Sequence, residues 1–314
     1  MADRILDLSD RPAYLSVNNA LLVIRFGSAG VSRAPVGESS GVPPQPAQTL
    51  TIPLDDLAAV IVSHPQATYT HAVLSGLAAA GAMFVACDEK HLPAAMLLPL
   101  VTHSTQTERF AAQAKVSLPT CKRLWQQIVQ AQILARGRLL TERTGKDWGL
   151  TLVAAKVRSG DPENLEAHAA RIYWQALFHG EDFRRDREAE DINRHLNYGY
   201  AVLRAIVARA ICGAGLHPSL GLHHHNRYDA FCLADDLMEP FRPVVDRVVA
   251  RLRDERGSEV PLDKESKKAI LEGLLGRFTA ENESRTLFDW TSGMASSLAA
   301  VIEGRGEKLE IPRL

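Results

Sequence analysis

The chain has 314 residues, 46% hydrophobic and 23% charged, a composition typical of a globular protein of about two domains. Its formal net charge of −1 argues against a protein that is basic over its whole surface. Four widely spaced cysteines without a CxxC pair argue against a disulfide framework and a zinc ribbon.

The first hundred residues carry the alternating apolar pattern of strands. A hairpin is predicted with its turn at Asn18-Asn19. The other predicted elements are strands at 49–53, 57–62, 83–86 and 94–98 and a helix at 70–80. The segment 34–48 contains four prolines and is predicted to be a mobile loop or an insertion.

Beyond about residue 103 the apolar period changes from two to 3.6, which is typical of helices. Helices are predicted at 104–143 with a break near Pro119, at 161–178, at 191–212, from 231 with an interruption at Pro240, at 263–279 and at 282–303. We therefore expect an α+β fold, with a small β-rich domain at 1–102 and a larger all-α domain at 103–314. No signal peptide or membrane span is recognisable, so a cytoplasmic protein is expected.

The segment 101–160 has ten Lys or Arg residues and three acids, although the whole chain is almost neutral. This local excess is consistent with a polyanion-binding surface. A solvated helix face explains the same composition equally well.

Glu166 is the first candidate for chemistry. On a helix that begins at Pro162 it shares a face with Ala169, Tyr173 and Leu177. A lone carboxylate on an apolar face is costly unless it is paired, protonated or bound to a metal. A boundary glutamate that reaches solvent or an arginine explains the same pattern.

Two further clusters lie downstream. Alternate side chains of the three histidines at 223–225 point to opposite sides, so either His224 or its two neighbours face inward. Asp235, Asp236 and Glu239 place three acids within five residues, where they repel one another unless a cation lies among them. A polar loop and an exposed acidic turn are the alternative interpretations.

An imidazole and at least two carboxylates in one domain suit Mg²⁺ or Mn²⁺, and the imidazole favours Mn²⁺. Phosphodiester chemistry needs such a cation to offset charge on the phosphate and on the leaving 3′-oxygen. The sequence has no P-loop, GxSxG or strand-associated GxGxxG pattern, so nucleotide hydrolase, esterase and dehydrogenase functions lack support. The histidine spacing also argues against a zinc hydrolase.

Five segments in order, covering nearly the whole chain, resemble the type II form of the CRISPR-associated Cas-one integrases. They are the opening strands at 4–17, the glutamate helix at 164–174, the Asn-Tyr-Gly-Tyr segment at 197–200, the histidine segment at 215–224 and the acidic helix at 236–243. Several matches in order are more specific than any single motif.

The resemblance implies a Mn²⁺- or Mg²⁺-dependent DNA endonuclease and integrase whose catalytic metal ligands are Glu166, His224 and Glu239. His224 corresponds to the family's histidine because it lies three residues after Gly221. Asp236 is expected to hold the metal ligands in position without binding the metal itself. The arginines expected to contact DNA are Arg184, Arg185, Arg187, Arg227 and Arg242.

The implied reaction is strand transfer, in which the 3′-hydroxyl of a short DNA fragment attacks a phosphodiester at the leader end of a CRISPR repeat. The implied partners are double-stranded DNA, a second copy bound through the N-terminal domain, the small Cas-two protein in a heterohexamer, and the type II effector nuclease. Two alternatives stay open, namely a general metal-dependent nuclease and a non-catalytic DNA-binding scaffold.

Overall fold

A computed structural model describes residues 4–27, 48–88, 93–98, 103–179, 183–186 and 188–314. The chain divides into two compact units, Met1–Leu100 and Val101–Leu314. The first is rich in strands and the second in helices, so the predicted α+β class is confirmed. The proline-rich segment predicted at 34–48 lies, apart from Gln48, outside the described residues.

The first unit is built on two four-stranded sheets. Its elements are β1 (Arg4–Leu8), β2 (Ala13–Asn18), β3 (Leu21–Phe26), β4 (Thr49–Pro53), a 3-10 turn (Leu54–Asp56), β5 (Leu57–Val62), β6 (Thr68–Tyr69), α1 (His71–Ala79), β7 (Met83–Cys87) and β8 (Pro93–Leu97). The strand orders are β1-β5-β7-β8 and β4-β3-β2-β6. Every residue of β5 is buried, as is typical of a strand covered on both faces.

The predicted N-terminal hairpin is present, but its turn lies one residue further along the chain. Strands β2 and β3 pair antiparallel over their full lengths. The turn residues are Asn19 and Ala20, with φ angles of 48° and 61°. Two left-handed residues give a turn whose twist matches that of the strands. The hairpin thereby directs Leu15, Leu22 and Ile24, all fully buried, into the core of this unit.

The second unit packs helices around α3 and α6. Its elements are α2 (Gln106–Gln113), α3 (Leu118–Thr144), α4 (Leu150–Lys156), α5 (Leu165–Leu177), α6 (Asn193–Gly213), α7 (Cys232–Met238), a 3-10 turn (Glu239–Phe241), α8 (Arg242–Arg256), α9 (Lys264–Leu275), β9 (Arg277–Ala280), β10 (Glu283–Thr286) and α10 (Leu287–Ile302). Within the described ranges, no helix is long and apolar enough to cross a membrane.

The break predicted near Pro119 lies before that residue. Ser117 is the N-cap of α3, and its side chain accepts the Thr120 N–H at 3.4 Å. Pro119 is in the first turn of α3, where a backbone N–H has no partner within the helix and its absence does no harm. The proline therefore begins the long helix instead of ending the helix before it.

The second unit is not all-α, which corrects the prediction for 103–314. Strands β9 and β10 form an antiparallel hairpin between the last two helices. Its turn residues, Glu281 and Asn282, have φ angles of 53° and 69°. A helix cannot pass through two left-handed residues, so the helices predicted at 263–279 and 282–303 end and begin outside the hairpin.

Helices α6 and α8 approach each other closely at Gly199. A Cβ atom at Gly199 would overlap Cγ1 of Val245, so only glycine allows this separation. The close approach brings the Asn-Tyr-Gly-Tyr segment against α8. The fold thereby gathers α3, α5, α6 and the α7–α8 junction around one region.

Candidate functional site

Glu166 is half-buried in the first turn of α5, at a position fixed by Asp161. The helix starts after the predicted start at Asp161-Pro162-Glu163, and its first residue is Leu165. Asn164 has a left-handed backbone conformation, with φ 52°, so the helix cannot include it. The Asp161 carboxylate accepts the N–H groups of Leu165 at 2.9 Å and Glu166 at 3.0 Å. It therefore satisfies two helix donors from outside the helix.

Glu239 opens the 3-10 turn between α7 and α8 and is only 6% exposed. Arg242 donates from Nε to its Oε1 at 2.8 Å and lies 4.5 Å from the centroid of the Tyr200 ring. Burial opposes the charge of Arg242, but the Glu239 carboxylate outweighs it and the pKa of Arg242 is raised. Glu239 is thus a buried carboxylate with a fixed cationic partner.

A buried amide joins the two glutamates. Gln132 on α3 is fully buried, and its Nε2 donates to Glu166 Oε1 at 3.4 Å and to Glu239 Oε2. Two carboxylates from different elements therefore converge on one nitrogen atom. The other amide atom, Gln132 Oε1, is buried without a hydrogen-bond partner.

One carboxylate holds the histidine segment against α7. Asp236 is fully buried, and its oxygens accept the backbone N–H groups of Leu222 at 2.6 Å, His223 at 3.0 Å and His224 at 3.1 Å. Asp236 Oδ1 also lies 2.7 Å from Nδ1 of the His224 ring. Such a bond fixes ring orientation and leaves the opposite nitrogen for another role.

Gly221 makes this arrangement sterically possible. A Cβ atom at this position would overlap the carbonyl oxygen of His224. The same Cβ atom would lie 3.0 Å from Cβ of Cys232 and 3.1 Å from Oδ2 of Asp236. Real Cβ atoms do not approach backbone atoms so closely, so a larger residue would push the segment away from α7.

The neighbouring histidines have different environments. Trp125 of α3 stacks flat on His223, with ring centroids 4.1 Å apart, and meets His224 edge-on at 5.6 Å. Burial lowers the pKa of His223. The hydrogen bond to Asp236 raises the pKa of His224, and the nearby charge of Glu239 acts in the same direction. His224 is therefore the histidine that interacts more strongly with the acidic segment.

A further buried carboxylate, Asp246, lies next to the site. Asp246 of α8 accepts the hydroxyl protons of Tyr173, at 2.7 Å, and of Tyr200. Burial raises its pKa to about 6, even though both tyrosine hydrogen bonds favour its charged form. Because Arg242 stacks on Tyr200, this group continues the chain of contacts that begins at Glu239.

The predicted ligands share a neighbourhood but do not form a coordination geometry. Among the residues that the structure describes, no three His, Cys, Asp or Glu side chains are placed to hold one metal ion. The Gln132 nitrogen lies between Glu166 and Glu239, and the His224 ring faces Asp236. The three predicted ligands and the predicted supporting residue thus lie together, with an amide among them.

Of the five arginines predicted to contact DNA, the four that the structure describes fall into two groups. Arg184 and Arg227 are exposed. Arg185 donates to two asparagine side chains of α6, and Arg242 is bonded within the acidic site. Arg187 lies outside the described residues.

The sequence patterns did not identify three residues of this region as functional candidates. Gln132 and Trp125 lie on the buried face of a helix, where a neutral side chain attracts no notice. Asp246 gave a usable signal, because it interrupts the apolar run from Val244 to Val249. An acid within such a run needs hydrogen-bond partners, which here are two tyrosines of other helices.

Comparisons with known proteins give consistent results. The family model for CRISPR associated protein Cas1 matches residues 11–273. The CRISPR-associated endonuclease Cas1 of Neisseria meningitidis serogroup C (strain 8013) is 36% identical over 274 residues, which are 86% of this chain and 89% of that protein.

Two solved structures have a similar fold at low sequence identity. A casposase bound to integration product is 19% identical with a TM-score of 0.77, covering 98% of this chain and 92% of that chain. A chain of a Cas6-RT-Cas1–Cas2 complex is 16% identical with a TM-score of 0.74, covering 98% of this chain and 36% of that chain.

Proposed function

Since the chain belongs to the Cas1 family of CRISPR-associated proteins, we propose that it is a metal-dependent DNA strand transferase that inserts short fragments at a CRISPR repeat. The observation that carries the proposal is the convergence of Glu166 and Glu239 on one buried atom, beside a histidine held by Asp236. Endonuclease cleavage is the related exchange at phosphorus, with water replacing the 3′-hydroxyl.

The side chains present fit a divalent cation. Glu166, Glu239 and His224 would hold it, and this donor set suits Mg²⁺ or Mn²⁺. The Gln132 amide supports the fit, because the side chain that contacts both carboxylates also carries a buried acceptor, Oε1, that has no partner. When bound, the cation would offset charge on the scissile phosphate and on the leaving 3′-oxygen.

The remaining residues orient these ligands. Arg242 fixes one oxygen of Glu239, which leaves the other directed at the meeting point of the two carboxylates. Asp236 fixes the His224 ring through Nδ1. In the reaction the attacking 3′-hydroxyl loses its proton and forms a P–O bond as the bond to the repeat's 3′-oxygen breaks, and that leaving oxygen takes up a proton to become a hydroxyl. One phosphodiester replaces another, so no nucleotide hydrolysis is required.

Exposed basic residues near α3 are suited to DNA backbone binding. In the segment 101–160, Arg109 pairs with Glu303 at 2.9 Å and Arg136 is 5% exposed, so neither offers its charge to solvent. Six others are exposed, namely Lys115, Lys122, Arg123, Lys146, Lys156 and Arg158. Together with Arg184 and Arg227 they supply phosphate contacts that carry no base information.

The proposed assembly is a homodimer, formed through the N-terminal unit, that joins Cas2 in a heterohexamer in the cytoplasm. The fold similarity to a chain of a complex whose name includes Cas1–Cas2 supports the partner. The resemblance of the five sequence segments to the type II form of the family supports the type II effector nuclease as a further partner. Two-ended joining also requires two sites, whereas one chain supplies one.

The proposal is tested by incubating the protein, with and without its small partner, with 3′-hydroxyl duplex and a supercoiled CRISPR plasmid. We expect joined products in Mn²⁺ or Mg²⁺ and none in EDTA. Glu166→Ala, His224→Ala and Glu239→Ala should each abolish joining while the protein stays folded, because each removes one ligand.

Matched controls are Glu190→Ala, an exposed acid before α6, and His225→Ala in the same histidine run, both expected to keep activity. Cut but unjoined plasmid would favour a general nuclease. DNA binding without cutting or joining would favour a scaffold. Full activity in EDTA would remove the metal mechanism.

A further inference from the structure

Gln132 lies among the proposed ligands with only part of its polar side chain hydrogen-bonded. The side chain is fully buried, and its Nε2 is committed to Glu166 and Glu239. Its Oε1 has no partner. Leaving a buried acceptor unpaired costs about 1–3 kcal/mol, so such an atom needs an explanation.

The Nε2 group of Gln132 donates to carboxylate oxygens of Glu166 and Glu239, and a bound cation would need lone pairs of the same oxygens. A carboxylate oxygen that accepts from an amide N–H is shielded from a cation approaching the same side. An amide N–H₂ group facing a cation would in addition be repelled by it. The present orientation of Gln132 is therefore compatible with the two glutamates alone and incompatible with an ion held between them.

The amide can resolve this conflict without moving the helix. Rotation by half a turn about the last side-chain torsion exchanges the positions of Oε1 and Nε2, and that torsion has a broad, roughly two-fold energy profile. The exchange would direct the orphan oxygen toward the carboxylates. An amide oxygen is an ordinary ligand of Mg²⁺ and Mn²⁺, and it also accepts from water bound to them.

We propose that Gln132 is a switching member of the cation site, whose nitrogen bridges Glu166 and Glu239 without the ion and whose oxygen faces the ion when it is bound. The inference rests on the proposed function, because it assigns a further residue to the same site. It makes the bridge a neutral substitute for the cation that keeps two carboxylates together when no ion is present.

The test measures Mn²⁺ binding to the full chain by electron paramagnetic resonance, which needs no DNA and no turnover. Gln132→Met removes both amide atoms at similar size, and we expect the Kd to rise at least tenfold. Gln132→Glu offers an oxygen in either orientation and no donor, so we expect a Kd at least tenfold lower. Without Mn²⁺ this variant should have a lower Tm, because three carboxylates then meet.

Gln130→Met is the matched control. Gln130 lies on the same helix but donates to the Val157 carbonyl at 3.3 Å, so its replacement should leave the Kd unchanged. Should Gln132→Met fail to fold, as judged by circular dichroism, Gln132→Glu still decides the question.

The outcomes separate the two proposals. A Kd that is unchanged or lower in Gln132→Met would show that the amide only competes with the ion, and the inference would be wrong. The same holds if Gln132→Glu does not bind Mn²⁺ more tightly while Glu239→Ala abolishes binding. Absence of Mn²⁺ binding by the wild-type protein would instead overturn the metal-dependent function itself, and the switching role with it.

Discussion

Asp236 organises the histidine segment at the scale of single atoms. Its two oxygens accept three backbone N–H groups and contact one imidazole nitrogen, all from residues 222–224. A carboxylate has lone pairs for four such contacts, whereas an amide of the same shape has acceptors on only one side. The negative charge and the shape of Asp236 are therefore both used.

We predict that Asp236→Asn lowers the rate of strand transfer by about 10- to 100-fold, because His224 loses its orienting partner. The variant amide would also turn a donor toward backbone donors, which should reduce the free energy of unfolding by about 1–3 kcal/mol. Joining assays and urea unfolding measure the two effects. Glu272→Gln, an exposed residue on α9, should change neither. Normal activity in Asp236→Asn would mean that His224 needs no such support.

The Asp246 carboxyl group predicts a specific pH dependence of stability. Its pKa is raised by burial from an ordinary value of 3.8 to about 6. Between about pH 4 and pH 6 the folded state therefore binds more protons than the unfolded state, and stability falls as the pH rises. Above about pH 7 both states are ionised and this contribution is constant.

Asp246→Asn cannot ionise, so the free energy of unfolding of the wild-type protein minus that of the variant should decrease from pH 4 to pH 6. Urea unfolding at half-unit pH intervals measures this difference. Asp254→Asn, the same change of acid to amide on the exposed side of the same helix, is the matched control. A wild-type-minus-variant difference that is flat, or that rises with pH, would refute the assignment.

At the scale of elements, α3 is the support on which the site is assembled. Trp125 and Gln132 lie two helical turns apart on its buried side. The first contacts the histidine segment, and the second contacts the glutamates of α5 and of the 3-10 turn. Side chains this far apart on one helix keep a fixed separation, so α3 sets the distance between the histidine segment and the carboxylates.

We predict that Gly221→Ala disrupts the histidine segment as a unit. Its Cβ atom would overlap a backbone atom, which cannot move aside as a flexible side chain can. The expected results are a loss of about 1–3 kcal/mol in the free energy of unfolding and a loss of joining activity. Gly213→Ala is the matched control, because a Cβ there meets nothing within 4 Å. Equal activity of both variants would show that the segment tolerates displacement.

At the scale of the whole molecule, the proposed reaction sets the number of sites that an assembly must provide. Both ends of one fragment must be joined to opposite strands, and a two-fold pair is the commonest way to place two equal sites at a fixed distance. The exposed cations of the segment 101–160 would then act on DNA from two chains at once. The proposed function therefore needs an oligomer, even though each chain carries all three of the proposed ligands.

We predict a homodimer at micromolar concentration and efficient two-ended integration only when Cas2 is added. Light scattering measures the mass, and the assay counts fragments joined at one end or both. DNA affinity should fall steeply with salt, because phosphate contacts release counterions. A monomer would contradict the dimer, and two-ended joining without Cas2 would contradict the required partner.

The sequence by itself determined the features that depend on neighbouring residues. The strands at 49–53 and 57–62, the first hairpin, and the helices around Glu166 and Tyr200 follow from apolar periods of 2 and 3.6. The family assignment also came from ordered local segments. The turn at Glu281-Asn282 was missed because a left-handed pair of residues leaves no mark on hydrophobic periodicity.

Only the tertiary structure decided which atoms meet at the site. Gln132 is far from Glu166 and Glu239 along the chain, and their contact depends on how α3, α5 and the 3-10 turn pack together. The different environments of His223 and His224 likewise depend on contacts with distant residues. Trp125 of α3 stacks on His223, and Asp236 of α7 contacts the His224 ring. Local sequence patterns do not encode such contacts, because distant side chains are brought together only by the packing of the complete core.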